Sequence, residues 1–300
     1  MKSIYHPGER AVQERAGVAN EAERVGRSIR PHIPPTAQTF LLSQPMVVLA
    51  TADDRGRFWA SVLFGQPGFL RAEDERTLRI EARPTSGDPL LENLTEGAQI
   101  GVLVIELSSR RRIRLNGRVV SVRDGVSRVS TEQVYSNCPK YIRARSWRPS
   151  DKPGEHHGEV IPTRHSSLTE RHKAWVVQAD TFFIASGHVE GGTDASHRGG
   201  TPGFVHVVDD RHLAWGDYPG NNMFQTLGNI SVNPFTGLLF IDFERGKTLQ
   251  LTGSSSIVWD SDRTREFTDA QRVLEFEFEE AIEITHPTRL RWHTRESSVV

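Results

Sequence analysis

The sequence predicts a mainly β protein built from two antiparallel, Greek-key-like barrels with short helices, which pack on each other as a pseudo-dimer within one chain. The main observation is an internal repeat, because residues 58–69 (FWASVLFGQPGF) return 135 positions later as residues 193–204 (TDASHRGGTPGF). Apolar segments typical of strands follow Pro45 in both halves. The length of 300 residues corresponds to about two domains.

The first half begins with a helical arm and continues as strands. Apolar residues recur with a period near 3.6 over residues 9–30, which predicts one helix that ends at the prolines of residues 31–35. A second helical stretch is expected near residues 130–145. Strands are expected in residues 46–52, 57–65, 77–83, 100–107 and 112–122, with a short helix in residues 88–94.

A polar segment separates the two halves. Residues 148–166 contain proline and glycine and show no period, which predicts a linker between an arm plus degenerate barrel (1–147) and a second barrel (167–300). Ser167 to Glu170 fits a capping box that opens a helix ending near Val177. The second half then repeats the plan, with strands expected in residues 181–187, 201–208, 212–217, 237–243, 247–259 and 274–279 and a short helix within 221–229.

Composition excludes several classes of function. The net charge of −1 gives no field for nucleic acid or an anionic membrane, so any anion site must be local. One cysteine allows no intrachain disulfide, and no apolar run approaches the ~18 residues of a membrane span. The charged N-terminus lacks the apolar core of a signal peptide, so a cytoplasmic location is expected. Rossmann, P-loop, zinc-protease and serine-esterase motifs are missing from the sequence.

The repeat is polar in one copy and apolar in the other. The second copy reads SHRGG at residues 196–200, where the first reads SVLFG at 61–65. Ser196 and Arg198 offer hydroxyl and guanidinium donors, and the glycines let backbone N–H groups approach an anion. The alternative is a polar loop with turn glycines. Because the fold tolerates an apolar copy, the polar one is predicted to bind phosphate.

The segment that follows adds a second anion-binding element. Asn221 and Asn222 are expected to cap the short helix after them, and helix N-termini bind phosphate through free N–H groups. An ordinary N-cap is the alternative interpretation. The matching turn in the first half, residues 85–89, contains Asp88, whose charge would repel a phosphate. The second copy is therefore the predicted site.

Two basic segments of the first half are further candidates. The run from Arg110 to Arg114 is either a solvated strand edge or a group of cations that reaches an anion held by the other half. Lys140, Tyr141 and Arg145 are candidates for lining a pocket, whereas Cys138 has no paired histidine that would make it a nucleophile. No metal site is expected, since no metal-ligand spacing is found for His156, His157, His165 and His172.

Residues 195–253 (ASHRGGTPGFV…LAWGDYPGNNMFQTLGNISVNPFTGLLFIDF…LQLTG) resemble the pyridoxamine 5′-phosphate oxidase-like FMN-binding split-barrel family. The resemblance is strongest to the tandem-barrel branch related to proteins fused to ferredoxin-reductase modules, and GRFWASVLFGQPGF, RRRIRLNG and NCPKYI of the first half fit it too. It implies two split barrels that hold FMN between them and an FMN-dependent oxidoreductase of unknown substrate. The simple oxidases have a basic turn before the helix, whereas this chain has Asn221-Asn222-Met223, which argues against pyridoxamine phosphate as the substrate.

The resemblance also implies the cofactor-binding residues and the partners. A small-molecule substrate is expected, with NAD(P)H or a separate reductase as the electron donor and no nucleic acid or membrane, and a further pairing into homodimers stays open. No catalytic residue is assigned. The expected FMN-binding residues are Ser196, His197, Arg198, Gly199, Gly200, Thr201, Pro202, Trp215, Asp217, Tyr218, Asn221, Asn222, Arg112, Lys140 and Tyr141.

Other functions stay open at this point. The same site could serve a flavin-binding or carrier module without catalysis of its own. A split barrel could also bind haem or a deazaflavin, since fold does not fix function. Haem would require an axial ligand, for which His188, His197 and His206 are the candidates. A purely structural protein is disfavoured, because one copy of the repeat keeps its polarity.

Overall fold

The computed structural model describes residues 4–149, 162–188, 191–286, 288 and 290–294. The elements of the first half are α1 (Pro7–Arg15), α2 (Ala19–Gly26), α3 (Pro35–Leu42), β1 (Met46–Ala52), β2 (Phe58–Phe64), β3 (Leu70–Ala72), β4 (Thr77–Glu81), α4 (Leu90–Asn93), β5 (Gln99–Glu106), β6 (Arg111–Arg123), β7 (Val126–Ser136) and β8 (Arg145–Pro149). Those of the second half are β9 (Thr163–His165), α5 (Glu170–Gln178), β10 (Thr181–His188), β11 (Gly192–Gly199), β12 (Val205–Val207), β13 (His212–Asp217), α6 (Gln225–Val232), β14 (Phe235–Asp242), β15 (Lys247–Val258), α7 (Ser261–Thr264), β16 (Arg272–Thr285) and β17 (Leu290–Thr294).

The two halves have the same sheet topology, which confirms the predicted duplication. The strand order is β2-β1-β5-β6-β7-β4-β3 in the first sheet and β11-β10-β14-β15-β16-β13-β12 in the second. Each strand of the first order therefore corresponds to the strand at the same place in the second. All the neighbouring pairs along both orders are antiparallel.

Each sheet surrounds its own apolar core, and a third core joins the halves. Leu49, Val102 and Leu115 belong to the first core, and Phe182, Trp215 and Phe276 to the second. The core between the halves contains residues of both, among them Val48 and Val62 of the first half and Phe183 and Leu239 of the second. The halves therefore pack as the predicted pseudo-dimer, and clefts between them are lined from both sides.

The predicted single helix over residues 9–30 is wrong, because the chain breaks it into α1 and α2. At the break, Gly17 has φ 71°, its N–H donates to Glu14, and the N–H of Val18 donates to Gln13. This double hydrogen bond is the Schellman ending of a helix, which a glycine in the left-handed conformation permits. Helix α3, which begins at the last proline of the cluster, was not expected from the sequence.

The predicted helix near residues 130–145 is also wrong, since residues 126–136 form strand β7 along β6. Side chains of Ser127, Val129 and Thr131 are buried while those between them are partly exposed. This period of two, together with the β-branched residues, favours a strand over a helix. A loop follows from residue 137 to β8, and it carries Cys138, Lys140 and Tyr141.

The predicted linker has strands at both of its ends. Arg148 and Pro149 belong to β8, which pairs with β17, and β9 pairs with β16. Residues 150–161 lie outside the described residues, so the linker stays a prediction there. The capping box of α5 lies two residues later than predicted, because Thr169 rather than Ser167 is the N-cap and His172 is its partner. Within the described ranges, no helix is long and apolar enough to cross a bilayer.

Candidate functional site

A cavity opens between the two halves of the chain. The first half contributes Arg112 and Arg114 of β6 and the loop that follows β7. The second half contributes β11, the end of β13, the loop of residues 218–224 and the amino end of α6. Both predicted basic and predicted polar segments thus meet at one place.

Most of the predicted site residues line this cavity. Those that do so are Ser196, His197, Arg198, Gly199, Trp215, Asp217, Tyr218, Asn221, Asn222, Arg112, Lys140 and Tyr141. Gly200, Thr201 and Pro202 lie outside it, in the turn after β11, where Thr201 and Pro202 are exposed. The N–H of Gly200 donates to the carbonyl of Asp180 at 3.1 Å. Contrary to the prediction, this N–H is therefore not free to bind an anion.

The polar run of the second repeat is a strand rather than a loop. Ser196 and His197 belong to β11 and are 1% and 4% exposed. Arg114 Nη2 and Arg198 Nη1 both donate to Oγ of Ser196, the second at 2.9 Å. Because the hydroxyl oxygen accepts both, its own proton is free for donation to a ligand.

Arg114 forms a buried ion pair across the interface. Its Nη1 lies 3.0 and 3.1 Å from the carboxylate oxygens of Asp194, which also accepts hydrogen bonds from Tyr135 and Asn116. Burial lowers the pKa of Arg114, but the Asp194 carboxylate outweighs burial and keeps the pKa of Arg114 above its ordinary value.

Arg114 was within the predicted basic run but was not singled out. Its spacing of two from Arg112 on a strand places both on one face and could have identified it.

The other basic groups of the cavity have few acidic partners. Burial, together with Arg114 and Arg198, lowers the pKa of Arg112 to about 9. Burial also lowers the pKa of Arg198, although Asp217 opposes this. Burial and the neighbouring arginines hold the pKa of His197 well below its usual range, so the imidazole is neutral at pH 7.

Several buried polar atoms of the cavity have no hydrogen-bond partner within the described part of the chain. Such groups are rare in folded proteins and each calls for an explanation, such as a ligand. Most of them are N–H donors, which suits an anion. They are Nε of Arg112, Arg114 and Arg198, Nε1 of Trp215, both ring nitrogens of His197 and Oδ1 of Asn137.

Helix α6 points its amino end into the cavity, and no side chain in the described part of the chain caps it. Gln225, Thr226 and Leu227 line the cavity, and the N-cap residue is Phe224, not Asn221 or Asn222 as predicted. Asn221 instead accepts a hydrogen bond from the N–H of Met223 at 3.1 Å. The sequence missed this because the helix begins later than expected. An uncapped helix amino end is a ready anion site.

The pseudo-equivalent cleft of the molecule, which we call the twin cleft, contains Ser61, Asp88 and Gln250. Strand registers make Ser61 equivalent to Ser196, and Gln250 equivalent to Arg114. Asp88 accepts hydrogen bonds from Ser61 Oγ at 2.6 Å, from Gln250 Nε2 at 3.3 Å and from the N–H of Leu90 at 2.9 Å. A carboxylate of the chain thus occupies the twin cleft.

Among the residues that the structure describes, no such carboxylate lies at the corresponding place of the cavity. Asn93 bonds Thr51 as Asn229 bonds Ser186, which aligns the two short helices and makes Phe224 equivalent to Asp88. Ser196, Arg114 and the amino end of α6 therefore surround a position that in the twin cleft holds an anion. The arrangement can bind a phosphate group.

A family model described as pyridoxamine 5′-phosphate oxidase matches this chain twice, over residues 33–155 and 168–284. The chain belongs to the pyridoxamine 5′-phosphate oxidase family. This confirms the resemblance seen in the sequence, and the two matches coincide with the two barrels. The tandem split barrel is thus the fold of this family member.

The solved structures similar to this family member each cover about two fifths of the chain. Group A Streptococcus HupZ is 15% identical, over 38% of this chain and 98% of its own, with a TM-score of 0.33. An FMN-binding protein from Syntrophomonas wolfei is 9% identical over 37% and 83%, with a TM-score of 0.29. A FAD-binding protein from Mesorhizobium loti is 13% identical over 42% and 99%, with a TM-score of 0.29. No curated protein matches the sequence.

No group of three or more histidine, cysteine, aspartate or glutamate side chains that could hold a metal ion occurs among the residues that the structure describes. Of the three histidines considered as axial ligands, His197 lines the cavity. His188 stacks on His6 and His206 stacks on Phe267.

Proposed function

We propose that this chain binds FMN in the cavity between its barrels and acts as an FMN-dependent oxidoreductase. The observation that carries the proposal is the convergence of unpartnered buried donors on one place. Arg114, Arg198 and Ser196 approach it from two strands, and the uncapped end of α6 approaches it from a helix. A phosphate dianion would satisfy these donors, because charge-assisted hydrogen bonds and helix amino ends both favour it.

The twin cleft supports the phosphate position. There a carboxylate binds the equivalent serine, the residue equivalent to Arg114 and the amino end of the equivalent helix. The same fold element therefore holds an anion in one copy. In the other copy the position is lined by arginines and lacks an acidic side chain of its own at residue 224.

The rest of the cavity suits a ring system and its substrate. Arg112 and Lys140 come from the first half, and Tyr141 and Tyr218 stand close together with ring centroids 5.7 Å apart. When bound, a flavin supplies hydride and electron transfer, while the protein supplies anchoring, orientation and electrostatics. A small-molecule substrate and reduction by NAD(P)H or a separate reductase are part of this proposal.

The visible spectrum of the purified protein, before and after addition of FMN, tests the cofactor. We expect flavin absorption and a change of flavin fluorescence on binding. A protein that stays colourless and leaves the fluorescence of added FMN unchanged would overturn the proposal. A Soret band would instead support haem at His197, the one candidate axial ligand that lies in the cavity among the described residues.

Stopped-flow reduction tests the enzymatic part separately. Reduction of the bound flavin by NADH or NADPH, with or without a partner reductase, is expected for an oxidoreductase. Stable FMN binding without reduction by any of these donors would favour a carrier module.

A further inference from the structure

The N-terminal arm, formed by α1 and α2, packs on the helix whose amino end faces the cavity. Helices α1 and α6 cross at Gly8 and Gly228, so closely that a Cβ on Gly228 would lie 2.5 Å from Cα of Glu9. The arm precedes residue 33, where the match to the family model begins. It therefore adds contacts to α6 that the matched barrels do not supply.

We propose that Gln13 of the arm is a positioning residue for the phosphate end of the cofactor, an inference that rests on the proposed function. Gln13 does not line the cavity. Its side chain is buried, at 3% exposed, and its Nε2 donates to the carbonyl oxygen of Met223 at 2.9 Å. The effect is therefore transmitted through Met223 to the loop that leads into α6.

The loop around Met223 has an unfavourable backbone conformation. Asn222 and Phe224, on either side of it, have φ values of 60° and 59°. This left-handed conformation is disfavoured for residues with a Cβ and persists only where the surroundings hold it. The Met223 side chain is 1% exposed and packs with Ala22 of α2, with Tyr5 and Ile29 beside the two helices, and with Tyr135 of β7. The arm therefore contributes to that hold.

The held conformation keeps the amino end of α6 free. Asn221 is committed to the N–H of Met223, and no side chain described in the structure caps the helix. If Met223 were released, residues 222–224 could relax and an asparagine side chain could accept from the first N–H groups of α6, as Asp88 accepts from the N–H of Leu90 in the twin cleft. An internal cap would then compete with the phosphate of FMN.

The test compares FMN with riboflavin, which lacks the phosphate. Gln13→Met keeps the length of the side chain and removes its donor, and Gln13→Ala is a second variant with the same expectation. We expect FMN to bind about tenfold more weakly to either variant, because the variant loses one neutral hydrogen bond that positions the phosphate site. Riboflavin affinity should stay within about twofold, because this hydrogen bond acts only on the phosphate site. Fluorescence titration with both flavins gives the two affinities.

Val12→Ala is the matched control. Val12 is the neighbouring buried residue of the same helix, at 4% exposed, and belongs to the core of the second barrel. It should lower the melting temperature without changing the ratio of FMN to riboflavin affinity. If the Gln13 variants keep the wild-type ratio, Gln13 is not a positioning residue. If the wild-type protein itself does not prefer FMN to riboflavin, the phosphate site of the proposed function is wrong and this inference falls with it.

Discussion

The two clefts between the barrels come from one repeat but differ in how their anion position is filled. In the twin cleft, Asp88 supplies the anion from within the chain, and neutral groups of Ser61 and Gln250 bind it. In the cavity, Arg114 and Arg198 surround Ser196, and the equivalent of Asp88 is apolar. After duplication, one cleft thus became part of the core, while the other holds buried donors that have no partner among the described residues.

The twin cleft is also closed where the cavity is open. His286 is 3% exposed and bridges Thr85 and Thr248 through its two ring nitrogens, each at 2.9 Å. Phe64 packs edge-on against the same ring, with centroids 5.3 Å apart. Thr248 is equivalent to Arg112 by strand register. A cation of the cavity is therefore replaced by a hydroxyl that is satisfied internally.

The largest expected effect comes from giving the cavity the residue of the twin cleft. Arg114→Gln leaves Asp194 buried without its cation, and breaking one partner of a buried pair costs about 3–5 kcal/mol. We expect the free energy of unfolding, measured by urea denaturation, to fall by this amount. Arg114→Gln with Asp194→Asn should recover much of the loss. A single variant within about 1 kcal/mol of wild type would show that the ion pair does not hold the halves together.

Removal of Arg198 should separate the clefts by ligand affinity. Arg198→Ala is expected to weaken FMN by about 2–4 kcal/mol, or roughly 30- to 1,000-fold, because it removes a buried partner of the phosphate. Fluorescence titration measures this, and riboflavin affinity should change much less. Ser61→Ala in the twin cleft is the control and should leave FMN affinity unchanged. Equal losses for FMN and riboflavin would move the phosphate away from Arg198.

The difference between the two clefts could largely be predicted from the sequence. The offset of 135 between the copies of the repeat is the same offset that the strand registers give for Ser61 and Ser196. It also located the polar copy, since the cavity is lined by residues 196–199. Repeats carry this information because equivalent side chains face equivalent surroundings when the fold is duplicated.

The long-range partners and the left-handed backbone conformations could not be predicted from the sequence. Arg114 pairs with Asp194, 80 positions away, and no local sequence pattern indicates this pairing. The amino end of α6 was placed too early, because asparagines usually cap helices, whereas here the arm holds Met223 and shifts the start. The helix predicted near residues 130–145 is instead strand β7 and a loop, because pairing of residues 126–136 with β6 outweighs any local helix preference.

A smaller effect is expected from neutralising the anion of the twin cleft. Burial raises the pKa of Asp88 to about 6, although hydrogen bonds from Ser61, Leu90 and Gln250 oppose this. The folded protein therefore holds this proton more tightly than the unfolded chain, whose value is near 3.8, and stability falls as the pH rises from about 4 to 6. The loss of folding free energy is at most about 3 kcal/mol, since each pKa unit of difference between folded and unfolded protein corresponds to about 1.36 kcal/mol.

Asp88→Asn removes this loss, so its stability relative to wild type should increase between about pH 4 and 6 and stay constant above. Urea denaturation at several pH values measures the difference. Asp53→Asn is a control for which we expect the opposite pH dependence of stability relative to wild type. Burial raises the pKa of Asp53, but hydrogen bonds from Trp59 and Arg57 outweigh it and lower that pKa. A difference between Asp88→Asn and wild type that does not depend on pH would show that Asp88 is ionised as in water.

The smallest expected effect concerns the mouths of the clefts. Tyr141 donates to the carbonyl of Pro219 at 3.1 Å and so bridges the two loops at the mouth of the cavity, while Thr85 and His286 bridge the twin cleft. Tyr141→Phe removes one exposed neutral hydrogen bond, worth about 0.5–1 kcal/mol. FMN should therefore dissociate about two- to fivefold faster, as followed by the recovery of flavin fluorescence after dilution, with little change in the free energy of unfolding.

Thr85→Val is the matched variant in the twin cleft. It should lower the free energy of unfolding, because it leaves a buried ring nitrogen of His286 without its partner. It should leave the rate of FMN dissociation unchanged, because it does not touch the cavity. If Thr85→Val accelerates FMN release as much as Tyr141→Phe does, the two clefts open together, and the twin cleft is coupled to the cavity rather than a closed part of the core.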